Sequence, residues 1–147
     1  MTEGNVSIRD GRLIDPANGV DAVLDLHAGG GRILAIGPAP ADFRPERTID
    51  AGGLIVCPGL VDLCARLREP GLEHKATIAS ETAAAAGAGI TTLCCPPDTQ
   101  PLIDTPAVAQ LIRQTAERHG LARVVPAGAL TKGLDLSLIH ISEPTRH

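Results

Sequence analysis

From Gly59 to Gly71 the chain reads Gly-Leu-Val-Asp-Leu-Cys-Ala-Arg-Leu-Arg-Glu-Pro-Gly, an apolar run in which every second place, from Asp62 to Arg68, carries a reactive side chain. An extended strand turns alternate side chains to one face, so Asp62, Cys64 and Arg66 are expected to point the same way. Two imidazoles at positions 64 and 66 would chelate a divalent ion. The guanidinium of Arg66 cannot: it has no lone pair, stays protonated at any physiological pH and adds positive charge beside a cation. Cys64 alone can bind zinc as a thiolate, but Arg66 next to it opposes that. The spacing suits a metal site, and the residues filling it do not make a chelating pair.

The elements that must hold this run alternate between strand and helix. Residues 60–67 predict a near-continuous apolar strand, and residues 77–88 an Ala-rich helix with Gly87 and Gly89 at its exit. Ile90-Thr91-Thr92-Leu93-Cys94-Cys95 predicts a second buried strand. Thr105 and Pro106 then open a helix with Val108, Leu111, Ile112 and Thr115 on one face and Gly120 at its end. Residues 123–130 predict a third strand. Strands alternating with helices imply parallel βα units, an α/β architecture.

Ahead of these units, residues 1–57 read as short strands in a small β-layer. Val6-Ser7-Ile8-Arg9 alternates, Asp10-Gly11 signals a tight turn, and Arg12-Leu13-Ile14 resumes. Runs at 22–27, 32–36, 48–50 and 54–56 follow. Gly29-Gly30-Gly31 precedes a strand rather than a helix, which favours a hairpin turn over a phosphate cradle.

Composition narrows the function classes. The 147 residues suffice for a domain with a core; Phe43 is the only aromatic ring, so that core must be aliphatic. A net charge of −4, with Lys and Arg scattered, argues against nucleic acid or an anionic membrane as partner. Residues 1–10 lack a signal-peptide pattern and no apolar run is long enough to span a bilayer, so a cytoplasmic protein is expected. Cys57, Cys64, Cys94 and Cys95 form no CxxC pair; they read as buried free thiols rather than a disulfide or zinc framework.

Two complete βα units and a third strand cannot close an eight-stranded barrel, which needs about 250 residues, so the chain is expected to be the front of a longer protein. Residues 136–147 look like the in-frame translation of a sequencing-library adapter. They are set aside as a non-native tail, with His140 and His147 accidental.

Residues 4 to about 135 resemble the dihydroorotase branch of the amidohydrolase superfamily, the group that works beside aspartate transcarbamoylase. The resemblance is carried by Gly52-Gly53-Leu54-Ile55-Val56-Cys57-Pro58-Gly59-Leu60-Val61-Asp62 and by Leu67-Arg68-Glu69-Pro70-Gly71-Leu72-Glu73-His74-Lys75. Thr91-Thr92, Pro97-Asp98-Thr99-Gln100-Pro101, Ile103-Asp104-Thr105-Pro106 and Gly128-Ala129-Leu130-Thr131-Lys132-Gly133 extend it. It implies a (β/α)8 barrel beginning at residue 58, with residues 1–57 forming part of a flanking β-sandwich.

Active members of that family hold zinc through an HxH pair on the first strand, where this chain has Cys64 and Arg66. They bind the substrate carboxylate through an arginine matching Arg68 and an asparagine at the position of Asp98. Arg68 is kept; a carboxylate at position 98 would repel dihydroorotate, itself a carboxylate. The resemblance therefore implies vestigial substrate-binding positions at Arg68 and Asp98, no catalytic residue and no bound metal. It further implies a non-catalytic subunit that supports aspartate transcarbamoylase and is oligomeric when full length. The alternative is an active cyclic amidohydrolase using ligands from later strands. Arg66 is expected to fill the vacated metal position and pair with an acidic residue such as Asp98. Lys132 precedes the strand that would carry a metal-bridging lysine and takes no such role.

Other polar residues read more plainly. Arg68 with Glu69 reads as an exposed ion pair or as part of the vestigial site. His74 reads as solvated, His27 as the end of a strand, and His119 as a cation in the last turn of a helix. Asp62 reads as a structural hydrogen-bonding carboxylate.

Overall fold

The computed structural model describes residues 4–135, so the expectation of a non-native tail at 136–147 lies outside the described residues. The chain divides into two compact units, one up to Pro58 and one from Gly59 onward.

The first unit is a five-stranded sheet of β1 (Val6–Asp15), β2 (Val20–Gly29), β3 (Arg32–Ile36), β4 (Arg47–Asp50) and β5 (Ile55–Val56). Its order is β3-β2-β1-β4, with β5 also paired to β1. β1–β2 and β2–β3 are antiparallel, while β4 and β5 run parallel to β1. The glycine run is the hairpin turn between β2 and β3, with Gly30 at φ 57° and Gly31 at φ 71°, which suits a turn needing left-handed backbone at both central places.

Asp10-Gly11 does not turn the chain. Asp10 sits at φ 59°, its amide donates to Asp25 Oδ1 at 3.0 Å, and the β1–β2 register slips between Ile8 and Gly11. The pair is thus a β-bulge inside one ten-residue strand. Under the sheet, His27 is 2% exposed and fully partnered: Nδ1 lies 2.9 Å from Ser7 Oγ and Nε2 lies 3.1 Å from the Gly37 carbonyl. Since a carbonyl only accepts, Nε2 carries a proton there. The ring also meets Phe43 edge-on at 5.2 Å.

The second unit alternates β6 (Leu60–Asp62), α1 (Ile78–Gly87), β7 (Ile90–Cys95), α2 (Pro106–His119) and β8 (Arg123–Pro126), ending in a short 3-10 turn at Lys132–Leu134. The strands form a parallel sheet in the order β6-β7-β8. Its core gathers Leu67, Ile78, Leu93, Ile103 and Ile112, each no more than 3% exposed. Helix α1 starts in a capping box: Thr77 Oγ1 accepts from the Ser80 amide, and Ser80 Oγ accepts from the Thr77 amide. Thr82 is buried in α1, donates to the Ile78 carbonyl at 2.6 Å and accepts the Leu121 amide at 3.2 Å, tying α1 to the approach to β8.

Four expectations change here. The strand predicted over 60–67 ends at Asp62, because Asp62 Oδ1 takes the Cys64 amide at 2.8 Å and removes it from the ladder. Thr105 stands at the N-cap of α2 without a side-chain capping bond. On that helix Leu111 is 49% exposed and Ala116 is buried beside Ile112 in the place expected for Thr115. The third strand stops at Pro126, four residues earlier than predicted.

Candidate functional site

All the side chains singled out around the first strand lie in the second unit, at the C-terminal ends of β6 and β7. Past Asp62 the chain runs as loop, and two anchors fix it: the Ala65 amide donates to the Cys94 carbonyl at 2.9 Å, and Leu67 is buried at 1% exposure. Residues on either side of a buried anchor must face outward, and Arg66 and Arg68 are both exposed. Arg68 has φ 68°, and its carbonyl accepts the Leu72 amide at 2.8 Å, so the backbone turns sharply as it leaves the strand end.

The expected partnership of Arg66 is present. Arg66 Nε donates to Asp98 Oδ2 at 2.6 Å, across 32 positions of sequence. The geometry follows from the fold: Arg66 follows β6, Asp98 follows β7, and neighbouring parallel strands deliver both to the same end of the sheet. The hydrogen bond that Arg66 donates to Asp98, the negative charge of that carboxylate and the nearby Cys64 together hold the Arg66 guanidinium above its ordinary pKa. Asp98 is therefore an ion-paired carboxylate. The cation it holds opposes the repulsion it would exert on an anionic substrate.

Two hollows adjoin the pair. Arg66, Arg68 and Asp98 share a small one of about 20 Å³, floored by Leu67 and Cys95. A larger one of about 480 Å³ is lined by Asp62, Cys64, Arg66 and Arg68 together with Glu81 from α1. Glu81 escapes a reading of the sequence because α1 presents itself as an alanine-rich helix without chemistry.

Glu69 is a correction. Among the described residues it forms no ion pair with Arg68; its Oε2 accepts the Ile78 amide at 2.7 Å. A carboxylate there satisfies a free amide at the start of α1 and faces the positive end of the helix dipole. The signal that could have revealed this is the spacing from Glu69 to the helix start, provided the intervening loop folds back. His74 is exposed, and His119 lies in the last turn of α2.

The thiols also depart from expectation. Cys57 and Cys64 are exposed, Cys94 is half-buried and only Cys95 is fully buried. Burial is the main cause that pushes the Cys95 thiol up from its ordinary pKa. A raised folded value means that this thiol's contribution to stability is complete below the ordinary thiol pKa and is lost as the pH rises through the folded one. Alkylation at mildly alkaline pH, followed by peptide mass spectrometry, is expected to label Cys57 and Cys64 first and Cys95 last. Early labelling of Cys95 would contradict its burial.

The residues present do not fit the zinc of active dihydroorotases. The Arg66 guanidinium, which has no lone pair to give, is engaged by Asp98, and among the described residues no three His, Cys, Asp or Glu side chains converge as a metal site.

A family model described as Dihydro-orotase-like matches residues 53–135. This chain belongs to the dihydroorotase-like family. It is 56% identical over 128 residues to a dihydroorotase-like protein of Pseudomonas aeruginosa, covering 87% of this chain and 30% of that protein. It is 45% identical over 129 residues to a dihydroorotase of Geobacter sp. strain M21, covering 88% and 30%. The chain thus spans about 30% of the length of these curated relatives.

Among solved structures, the L-hydantoinase (dihydropyrimidinase) from Arthrobacter aurescens matches with a TM-score of 0.76 at 27% identity, covering 88% of this chain and 29% of that one. A D-hydantoinase matches with a TM-score of 0.68 at 23% identity, a likeness of fold. The described residues of this dihydroorotase-like chain are thus the N-terminal β-segment and the first strands and helices of an amidohydrolase barrel, which is incomplete here. No helix among them is long and apolar enough to cross a membrane.

Proposed function

We propose that this chain is the front part of a non-catalytic, dihydroorotase-like subunit of pyrimidine biosynthesis. It acts in the cytoplasm, associates with the catalytic chain of aspartate transcarbamoylase and supports its assembly and activity. The subunit is an oligomer when full length and engages neither nucleic acid nor membrane. The observation that carries this reading is the ion pair of Arg66 with Asp98, a permanent cation at what the family resemblance makes the second metal-ligand position. Losing both members of a chelating pair lowers metal affinity by far more than the roughly 10- to 100-fold typical of an outer-shell change. Arg68 and Asp98 are then vestiges of a substrate-binding site. The names of relatives run the same way: two at 55–56% identity are called dihydroorotase-like, whereas those at 43–45% are called dihydroorotase.

The second reading, an active hydrolase of a cyclic amide such as dihydroorotate, is favoured by those dihydroorotase names alone. Purified full-length protein separates the two. The non-catalytic reading expects no stoichiometric zinc, no ring opening of dihydroorotate and co-purification with aspartate transcarbamoylase. Stoichiometric zinc together with turnover would reverse the assignment.

A further inference from the structure

The Arg66–Asp98 pair joins two strand exits that a metal would otherwise have to join. As a source of stability it counts for little, since its side chains are 54% and 40% exposed and open ion pairs contribute weakly. Its chemistry is more telling. A divalent ion at this end of the sheet would draw on the Cys64 thiol and on a carboxylate such as Asp98, and the guanidinium competes for both. It holds Asp98 Oδ2 at 2.6 Å and lines the same hollow as Cys64. It donates five N–H groups and accepts none, so it can satisfy the carboxylate beside that thiol without leaving coordination capacity for an ion.

We propose that Arg66 is a tethered stand-in for a cation: it occupies Asp98 and thereby keeps Asp98 and Cys64 from assembling into a divalent-metal site. The inference rests on the non-catalytic reading for the state of the site and is independent of any partner. It makes the absence of metal binding an active property of one side chain, beyond the mere loss of histidines. Removing that cation and supplying an imidazole, as in Arg66→His, would leave a thiol, an imidazole and a carboxylate at the exits of two adjacent strands, a donor set suited to zinc or cobalt.

Cobalt(II) is the probe, because cobalt–thiolate bonding produces a charge-transfer absorption in the near ultraviolet. The full chain is expected to show no such band, and Arg66→His to gain it. Adding Cys64→Ser to Arg66→His should abolish the band, which separates Cys64 from the exposed Cys57. Adding Asp98→Asn should weaken cobalt binding on the order of tenfold or more. Arg66→Lys keeps the charge and should stay silent; Arg66→Ala, which removes the charge without adding a ligand, should show the band at weaker affinity.

A band in the parent chain that Cys64→Ser removes would overturn the inference. So would silence in both Arg66→His and Arg66→Ala when their circular dichroism matches the parent. The two failures are distinct: zinc with turnover in the parent defeats the non-catalytic reading, whereas silent variants defeat only the role given to Arg66.

Discussion

Leu67→Ala is expected to destabilise the second unit by about 2–5 kcal/mol, the range for emptying a fully buried leucine position. Leu67 is 1% exposed and packs into the core with Ile78, Leu93 and Cys95. It also lies between Arg66 and Arg68, so the same side chain that fills the core fixes where both guanidiniums emerge. The substitution should therefore lower the midpoint of chemical denaturation. Leu63→Ala provides the contrast: Leu63 is 79% exposed in this chain and its truncation should fall within about 0.5 kcal/mol of the parent. Equal midpoints for the two variants would show that Leu67 is not the anchor of this segment.

That contrast bears on what the sequence alone could disclose. Both leucines sit in one apolar run and look interchangeable there. A uniform strand over 60–67 would have made them equivalent partners in one alternation, but Asp62 turns its carboxylate onto the Cys64 amide and ends the ladder early. Local side-chain competition for a backbone amide is invisible to hydrophobic periodicity. The same failing turned Asp10-Gly11 into an apparent hairpin turn, whereas the Asp10 amide finds Asp25 on the neighbouring strand and the chain continues through a bulge. By contrast β7 (Ile90–Cys95) and β3 (Arg32–Ile36) were legible to the residue, because an apolar run between breaker residues, opened by a glycine turn in the case of β3, leaves few alternatives.

The site was legible where it depended on topology and illegible where it depended on a loop. Placing Arg66 near the end of one predicted strand and Asp98 after the next parallel one suffices to bring both to the same end of the sheet, although the strand in fact stops before Arg66. Glu69 is the opposite case. Next to Arg68 it suggests an ion pair, but the loop from Pro70 to Thr77 returns the chain so that α1 begins against the Glu69 carboxylate. A neighbour in sequence lost to a helix start, which offers an unsatisfied amide as well as a favourable field.

That loop is the second place where one substitution should have a large effect. Gly71→Ala is expected to destabilise the second unit by at least about 1–3 kcal/mol, the typical range for holding a residue with a Cβ in a conformation reserved for glycine. Gly71 has φ 104°, and a Cβ there would collide with the carbonyl oxygen of Gln100. The collision is with backbone, so no rotamer relieves it, and the two loops must part. They are joined at that point by the Gln100 amide donating to the Pro70 carbonyl at 3.1 Å. The Gly71 amide also donates to Glu73 Oε1 at 2.8 Å, and this bond is the main cause that holds the Glu73 carboxyl below its ordinary pKa. A depressed folded value means that this contribution is present above the ordinary glutamate pKa and is lost as the pH falls through the folded one. In Gly71→Ala the denaturation midpoint should fall at neutral pH, and the acid dependence assigned to Glu73 should shrink with it. Because Asp98 lies two residues before Gln100, spreading the loops should also loosen its hold on Arg66. A variant with parental stability and unchanged acid dependence would mean that the loops adjust around the added methyl group, and that the end of the sheet does not depend on their close approach.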